Sequence, residues 1–377
     1  MGYGAGFETT TGSINTVVGY YAFYDNTTGA YNTAIGAEAL GDNTTANHNV
    51  AIGYNSMRLN TTGADNVAVG AFSLDANTTG GDNTATGKSA LGGNTTGSYN
   101  TAFGREAMLK NTTASNNTAV GHQALEENTT GSGNTAVGKH AMYSSTTGFG
   151  NTCIGKDTMR TATAVNKTTV VGELAMYSHS GSGDEGNTIV GYEAGYTETT
   201  GWGNAFFGYR AGYNITSGSH NTNIGYLAGT GATTGSFNIN LGRASSPSSA
   251  TAGNECTLGD GNISSLRCND TSISSLSDQR DKTEIVDLPI GLDFINALKP
   301  RKFKWATRNG NIKDGKYRAG FIAQELQALE SSASADYLDL VLDTNPDRLE
   351  AKEGHLLPVL IKAVQELSAK VTALEAA

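Results

Sequence analysis

The chain has 377 residues, a formal net charge of −10, 49 glycines and only 5 prolines. The negative balance argues against a nucleic-acid backbone as partner, and high glycine with little proline argues against collagen and proline-rich linkers. No run of roughly 18 apolar residues occurs, so no membrane-spanning helix is expected. The opening Met1-Gly2-Tyr3-Gly4 has neither a basic nor an apolar leader region, so no secretory signal is expected. Cys153, Cys256 and Cys268 share no paired spacing and are read as reduced thiols. The histidines keep no common repeat position, and neither a metal site nor a cofactor is expected.

The first element in chain order is a repeat. Asn32-Thr33-Ala34-Ile35-Gly36 recurs in variants from Asn49, Asn66, Asn83, Asn100, Asn117, Asn134 and Asn151, always 17 residues on. A degenerate copy ends at Gly172, two extra residues follow, and the register resumes at Asn187, Asn204, Asn221 and Asn238. A second column, Asn26, Asn43, Asn60, Asn77, Asn94, Asn111 and Asn128, opens Asn-Thr-Thr turns. Pairs such as Ala39-Leu40, Ala90-Leu91 and Ala107-Met108 mark a third column, read as a second short strand. Seventeen residues are too few for a helical pair and suit one coil of a parallel β-solenoid, which buries its apolar face only by stacking. About fifteen coils at roughly 4.8 Å each make a rod of about 70 Å.

Within each coil Ile35, Ile52, Val69, Phe103, Val120, Val137 and Ile154 form an apolar ladder. Ala34, Ala51, Ala68, Ala85, Ala102, Ala119 and Ala136 point to the other face. So thin a coil reads as a poor core for a single chain, with the small residues allowing several chains to approach closely. Tyr192, Tyr209 and Tyr226 are spaced by 17, as are Tyr196 and Tyr213, with Trp202 nearby. These are the candidate receptor contacts, because aromatic faces stack on sugar rings; a thicker core or a contact between chains is the competing reading.

Asn49-Val50-Ala51-Ile52-Gly53 and Asn66-Val67-Ala68-Val69-Gly70 resemble the head repeats of trimeric autotransporter adhesins. The resemblance covers about residues 13–260 and implies a left-handed β-roll shared by three chains. The expected absence of a leader and of a membrane anchor turns the reading from an autotransporter toward a phage or phage-like particle.

After the shaft, residues 1–260, comes a serine-rich joint and cleavage junction, residues 261–276. The third segment, 277–377, opens with Ser277-Asp278-Gln279-Arg280-Asp281-Lys282. It continues through the amphipathic Gly291–Leu298 stretch, Lys299-Pro300, the alternating Lys302-Phe303-Lys304-Trp305, and Gly320-Phe321-Ile322-Ala323-Gln324-Glu325. This order resembles the S74 intramolecular chaperone of phage endosialidases and tail spikes. The resemblance implies a small α+β chaperone domain that cuts its own chain between Leu276 and Ser277. Ser277 is then the nucleophile and Lys282 its base, a serine peptidase acting in cis with no other activity expected. Asp278 and Arg280 match the motif and are read as an ion pair in support. Cleavage is expected to need the folded trimer. From about 355 to 377, Leu357, Leu360, Val364, Leu367, Val371 and Leu374 alternate steps of three and four, a coiled-coil seam.

The sequence therefore reads as a mainly β homotrimeric tail-fibre or adhesin subunit. It is expected to be assembled in a host cytoplasm, carried on a virion and extracellular after release. Its expected partners are other tail or baseplate proteins and a host-surface glycan or protein receptor, with no nucleic acid and no membrane insertion. A glycan-degrading tailspike, a bacterial surface adhesin and an ice-binding solenoid are alternatives. The scattered acids Glu38, Asp42, Asp65, Glu126 and Glu127 form no recurring pair of the kind a glycosidase needs.

Overall fold

The computed structural model describes residues 2–184, 186–263, 265–267, 277–305, 315–347 and 349–376, and the chain divides into two compact units, 1–260 and 261–377. The first is a parallel β-solenoid. Fifteen three-residue strands, from Thr16–Val18 to Cys256–Leu258, form one sheet in chain order. Up to Thr169–Val171 each strand pairs with its equivalent 17 residues on, as Thr33 with Val50 and Ala34 with Ala51. The two extra residues before Asn187 do not break the sheet, since Thr169 pairs with Thr188. They are absorbed beside it, where Ala164–Asn166 and Ser182–Asp184 form a separate parallel pair.

The two asparagine columns hold the coils in register. Asn43, Asn60, Asn77, Asn94, Asn111 and Asn128 are fully buried, and each donates its side-chain N–H to the amide oxygen of the preceding column member at 2.7–3.2 Å. In the other column the backbone N–H of Asn49, Asn66, Asn83 and Asn100 donates to the preceding amide oxygen. The threonine ladder is structural as well: Thr27, Thr44, Thr61 and Thr78 each donate their hydroxyl to the carbonyl one coil on.

Two expectations are corrected here. The Ala39-Leu40 segment and its equivalents are not strands but turns, with Glu38 at φ 55° and Leu40 at φ 51°. That left-handed geometry costs an ordinary side chain about 1–2 kcal/mol. Inter-coil bonds hold it, with the Glu38 N–H donating to Tyr20 O and the Leu40 N–H to Ser56 O. The turn aims Leu40, Met57, Leu74, Leu91 and Met108 inward, where all are fully buried. The alanine column packs in the same core, fully buried, because these long side chains leave room only for a methyl group. Alanine therefore lines the coil interior and is not a surface for close approach of chains. The apolar ladder faces outward instead, with Val18 47% and Phe103 58% exposed. Cys153 replaces one alanine, and burial pushes its thiol pKa up.

Late in the unit the two core columns exchange volume. Ile189 and Phe206 take alanine positions while Gly195 and Gly212 take the Leu/Met positions. A Cβ on Gly212 would stand 2.5 Å from the Phe206 ring. The left-handed geometry alone does not demand glycine there, since Leu40 and Met57 adopt it. Phe206→Ala should therefore lower the melting temperature of the unit through a cavity worth about 3–5 kcal/mol, and Gly212→Met through overpacking worth about 1–3 kcal/mol. The double variant, which rebuilds the common coil, should recover most of the loss; additive losses in a double-mutant cycle would contradict the exchange.

In the second unit α1 (Leu292–Ala297), α2 (Ala323–Ser332) and α3 (Leu357–Glu375) pack around Phe294, Leu326, Leu340 and Val359. Two short antiparallel pairs accompany them, Arg301–Phe303 with Arg318–Gly320 and Val341–Leu342 with Glu350–Ala351. Val359 and Ala363 bury one side of α3, while the seam residues Leu357, Leu360, Val364, Leu367, Val371 and Leu374 remain exposed in the single chain.

Candidate functional site

The Ser277 region is built by a single tight turn. Gln279–Asp281 forms one 3₁₀ turn, capped by Asp278, whose carboxylate accepts from the Arg280 backbone N–H at 2.9 Å. The same carboxylate grips the Arg280 guanidinium, with Nη2–Oδ2 at 2.6 Å. The guanidinium first, and then the backbone N–H, holds the Asp278 carboxyl below the usual aspartate range. The Lys282 N–H closes the turn on Gln279 O. Folded back in this way, Lys282 Nζ donates to Ser277 Oγ at 2.5 Å. The five-residue spacing thus brings the two together within one chain. Both stand in water here. Leu276, on the other side of the expected cut, lies outside the described residues, as does Cys268.

An open groove of about 530 Å³ runs from Lys282 past Ile285 and Val286 to Tyr337. These three apolar residues are exposed. Sequence reasoning missed the groove, because Tyr337 reaches it from a distant turn. It also missed the partners that brace the motif residues. Glu325 forms an ion pair with Arg301, which joins α2 to the first antiparallel pair and holds the Glu325 carboxyl below its usual range. Glu366 of α3 accepts from the Leu292 N–H at 2.8 Å, placing a carboxylate at the start of α1. A Cβ at Gly291 would meet that carboxylate at 2.6 Å, so a side chain there would displace the Glu366 head group.

Residues 277–334 match the family described as peptidase S74, chaperone of endosialidase. The chain carries a C-terminal endosialidase-chaperone domain. The match begins at Ser277, and its span contains the capped turn, α1, the Arg301–Gly320 pair and α2. No curated protein and no solved structure matches the chain.

The aromatic candidates lie in the solenoid. Tyr192, Tyr209 and Tyr226 stack face to face at 5.5 and 5.1 Å, and Tyr177, Tyr196 and Tyr213 at 5.4 and 5.3 Å. Arg210 lies between the two ladders, over Tyr209 and Tyr213 and bonded to Glu193 at 2.6 Å. Tyr192, Tyr209 and Tyr226 are exposed, and the thicker core is made by Ile189 and Phe206 instead. Stacking occupies the inner ring faces, so the ladders present mainly edges and hydroxyls. Trp202 differs: it is 51% exposed and meets His220 edge-on at 4.1 Å. Among the described residues no group of three or more His, Cys, Asp and Glu could hold a metal ion.

Two outcomes follow from the chaperone domain's geometry. Glu366→Ala should lower its melting temperature by the loss of one helix-start bond, about 1 kcal/mol; an unchanged melt would refute the brace. The depressed Asp278 pKa means that its hold on the turn is complete above the usual aspartate range and is lost as pH falls through the lower folded value. The Lys282 amide resonance should therefore titrate below roughly pH 3.9, and Arg280→Ala should move that midpoint upward.

Proposed function

We propose that the chain is a subunit of a homotrimeric virion tail fibre for host-surface attachment, whose endosialidase-chaperone domain templates trimer folding and is then released by autoproteolysis before Ser277. The observation that carries the reading is the 2.5 Å contact of Lys282 Nζ with Ser277 Oγ at the first residue of the family match. The outward apolar ladder of the solenoid and the exposed seam of α3 support several copies assembling in parallel. Host attachment is supported by the exposed aromatic surface around Trp202, Tyr209 and Tyr226. Assembly in a host cytoplasm and docking to other tail or baseplate proteins belong to the same reading.

The chemistry assigns one task to each residue. Ser277 Oγ attacks the carbonyl carbon of the preceding residue, and its proton passes to the Lys282 amine. The bond from that carbon to the Ser277 nitrogen breaks, the nitrogen takes up a proton, and an ester on Oγ remains. Water then hydrolyses the ester and separates residues 277–377. The lysine must first lose its own proton, which burial promotes. In the single chain the pair is exposed. On this reading a neighbouring copy, seated on the apolar groove beside Lys282, supplies the cover. The trimer then acts by excluding water from a dyad that is already assembled, which makes cleavage a report on complete folding.

The wild-type protein should be cut between Leu276 and Ser277, while Ser277→Ala and Lys282→Ala should each stay at full length. Intact-mass spectrometry decides it: an uncut wild type, or a cut Ser277→Ala variant, contradicts the assignment. A chain ending at Leu276 should be insoluble or misassembled, because parallel non-local pairing is slow to nucleate without a template. Soluble, native-like assembly of that truncation would refute the templating role.

A further inference from the structure

The first coils of the solenoid contain a gap in a side-chain ladder. Phe7, Tyr24, Gly41, Arg58 and Asp75 occupy one column, a residue per coil. The Phe7 and Tyr24 rings stack in parallel, 5.5 Å apart and inclined by 6°. One Tyr24 face is thus covered by the coil below, and the other looks toward the coil where Gly41 stands. At Gly41 the rung is missing. The backbone does not require glycine there: its φ lies outside the left-handed region, and a Cβ would meet nothing closer than 3.4 Å. Leu109 holds the equivalent place four coils further along the same column without left-handed geometry. The glycine therefore opens space that the fold could have filled.

That space is a groove of about 170 Å³ between Tyr24 and Arg58, edged by Asp25, Glu38 and Asp42, with Tyr21 set at an angle beside Tyr24. It is smaller than the roughly 300–1,000 Å³ typical of drug-sized ligands and fits a single ring. Its rim is rich in carboxylate acceptors, with Asp25 exposed and Glu38 and Asp42 half-buried. Asp25 and Asp42 sit one coil apart with like charge, which the fold alone does not favour. Burial pushes the Asp42 carboxyl above its usual range, with the neighbouring Arg58 opposing. Arg58 itself keeps a buried Nε without a hydrogen bond, 3.5 Å from Asp75.

We infer that this groove binds one sugar ring of a glycan, neutral or amino-bearing, which takes the place of the missing rung. The apolar C–H face of a pyranose would lie on the open face of Tyr24, and its hydroxyl or ammonium groups would donate to Asp25, Glu38 and Asp42. The surplus of carboxylates over the one arginine excludes an acidic sugar by repulsion. The site is separate from the late tyrosine ladders, and it stands whether or not the chain is part of a fibre.

The test is saturation-transfer NMR and calorimetry on the full chain with three soluble probes: maltotriose, a glucosamine trimer and sialyllactose. The glucosamine trimer or maltotriose should bind and sialyllactose should not. Gly41→Leu should weaken binding at least tenfold by filling the slot, and Asp42→Asn should weaken it severalfold. Both should leave the circular dichroism melt unchanged, and Lys139→Ala, on a distant coil, should bind as the wild type does. No binding of either non-acidic probe, preference for sialyllactose, or full binding by a folded Gly41→Leu variant would overturn the inference.

Discussion

Each coil of the solenoid depends on the coils above and below it for its buried amides. Asn60 gives its side-chain N–H to Asn43 and accepts one from Asn77. Backbone N–H groups do the same across every strand and turn. A coil taken alone would leave these groups unpaired away from water, at about 1–3 kcal/mol apiece. Stability therefore belongs to the stack and is a sum over neighbours. The constraint explains why the spacing of 17 is kept so strictly, since a shift of one residue would take every asparagine out of line. It also explains where an insertion is tolerated: beside the sheet, at Ser182–Asp184, with Thr169 and Thr188 still paired.

A stack that satisfies its amides along the axis still leaves its flank uncovered. The core of the common coil is filled by alanine and one Leu or Met, so the third apolar column, Ile35, Ile52 and their equivalents, has no place inside. The result is an apolar stripe on the outer face of the sheet. The chaperone domain repeats the theme, burying Val359 and Ala363 of α3 while leaving Leu360, Val364 and Leu367 exposed. On our reading further copies of the same chain cover both surfaces, and the same association takes the Ser277–Lys282 pair out of water.

Period, strand positions and the glycine after each strand were legible because they repeat at fixed spacing. The identity of the inner face was not. Alternation along Ala34-Ile35 separates two faces without saying which is buried, and the answer lies in the Leu40 turn. Leucine has no preference for positive φ, so nothing local announces that turn; it exists because the next coil supplies its hydrogen bonds. The exchange of Ala for Phe206 and of Leu for Gly212 was written in the sequence but has meaning only once the two columns are known to touch.

The Ser277–Lys282 pair was legible for the opposite reason. Ser277 and Lys282 are five residues apart and meet across a turn that Asp278 caps, so motif and geometry are both local. Their supports are not local. Glu325 meets Arg301 across 24 residues, and Glu366 meets Leu292 across 74. The claim on which the account rests most heavily is that other copies of this chain cover the exposed apolar stripe. The native mass of the uncut Ser277→Ala protein tests it most directly. The account predicts a single species of three 39.0 kDa chains, and a stable, folded monomer at working concentration would contradict it.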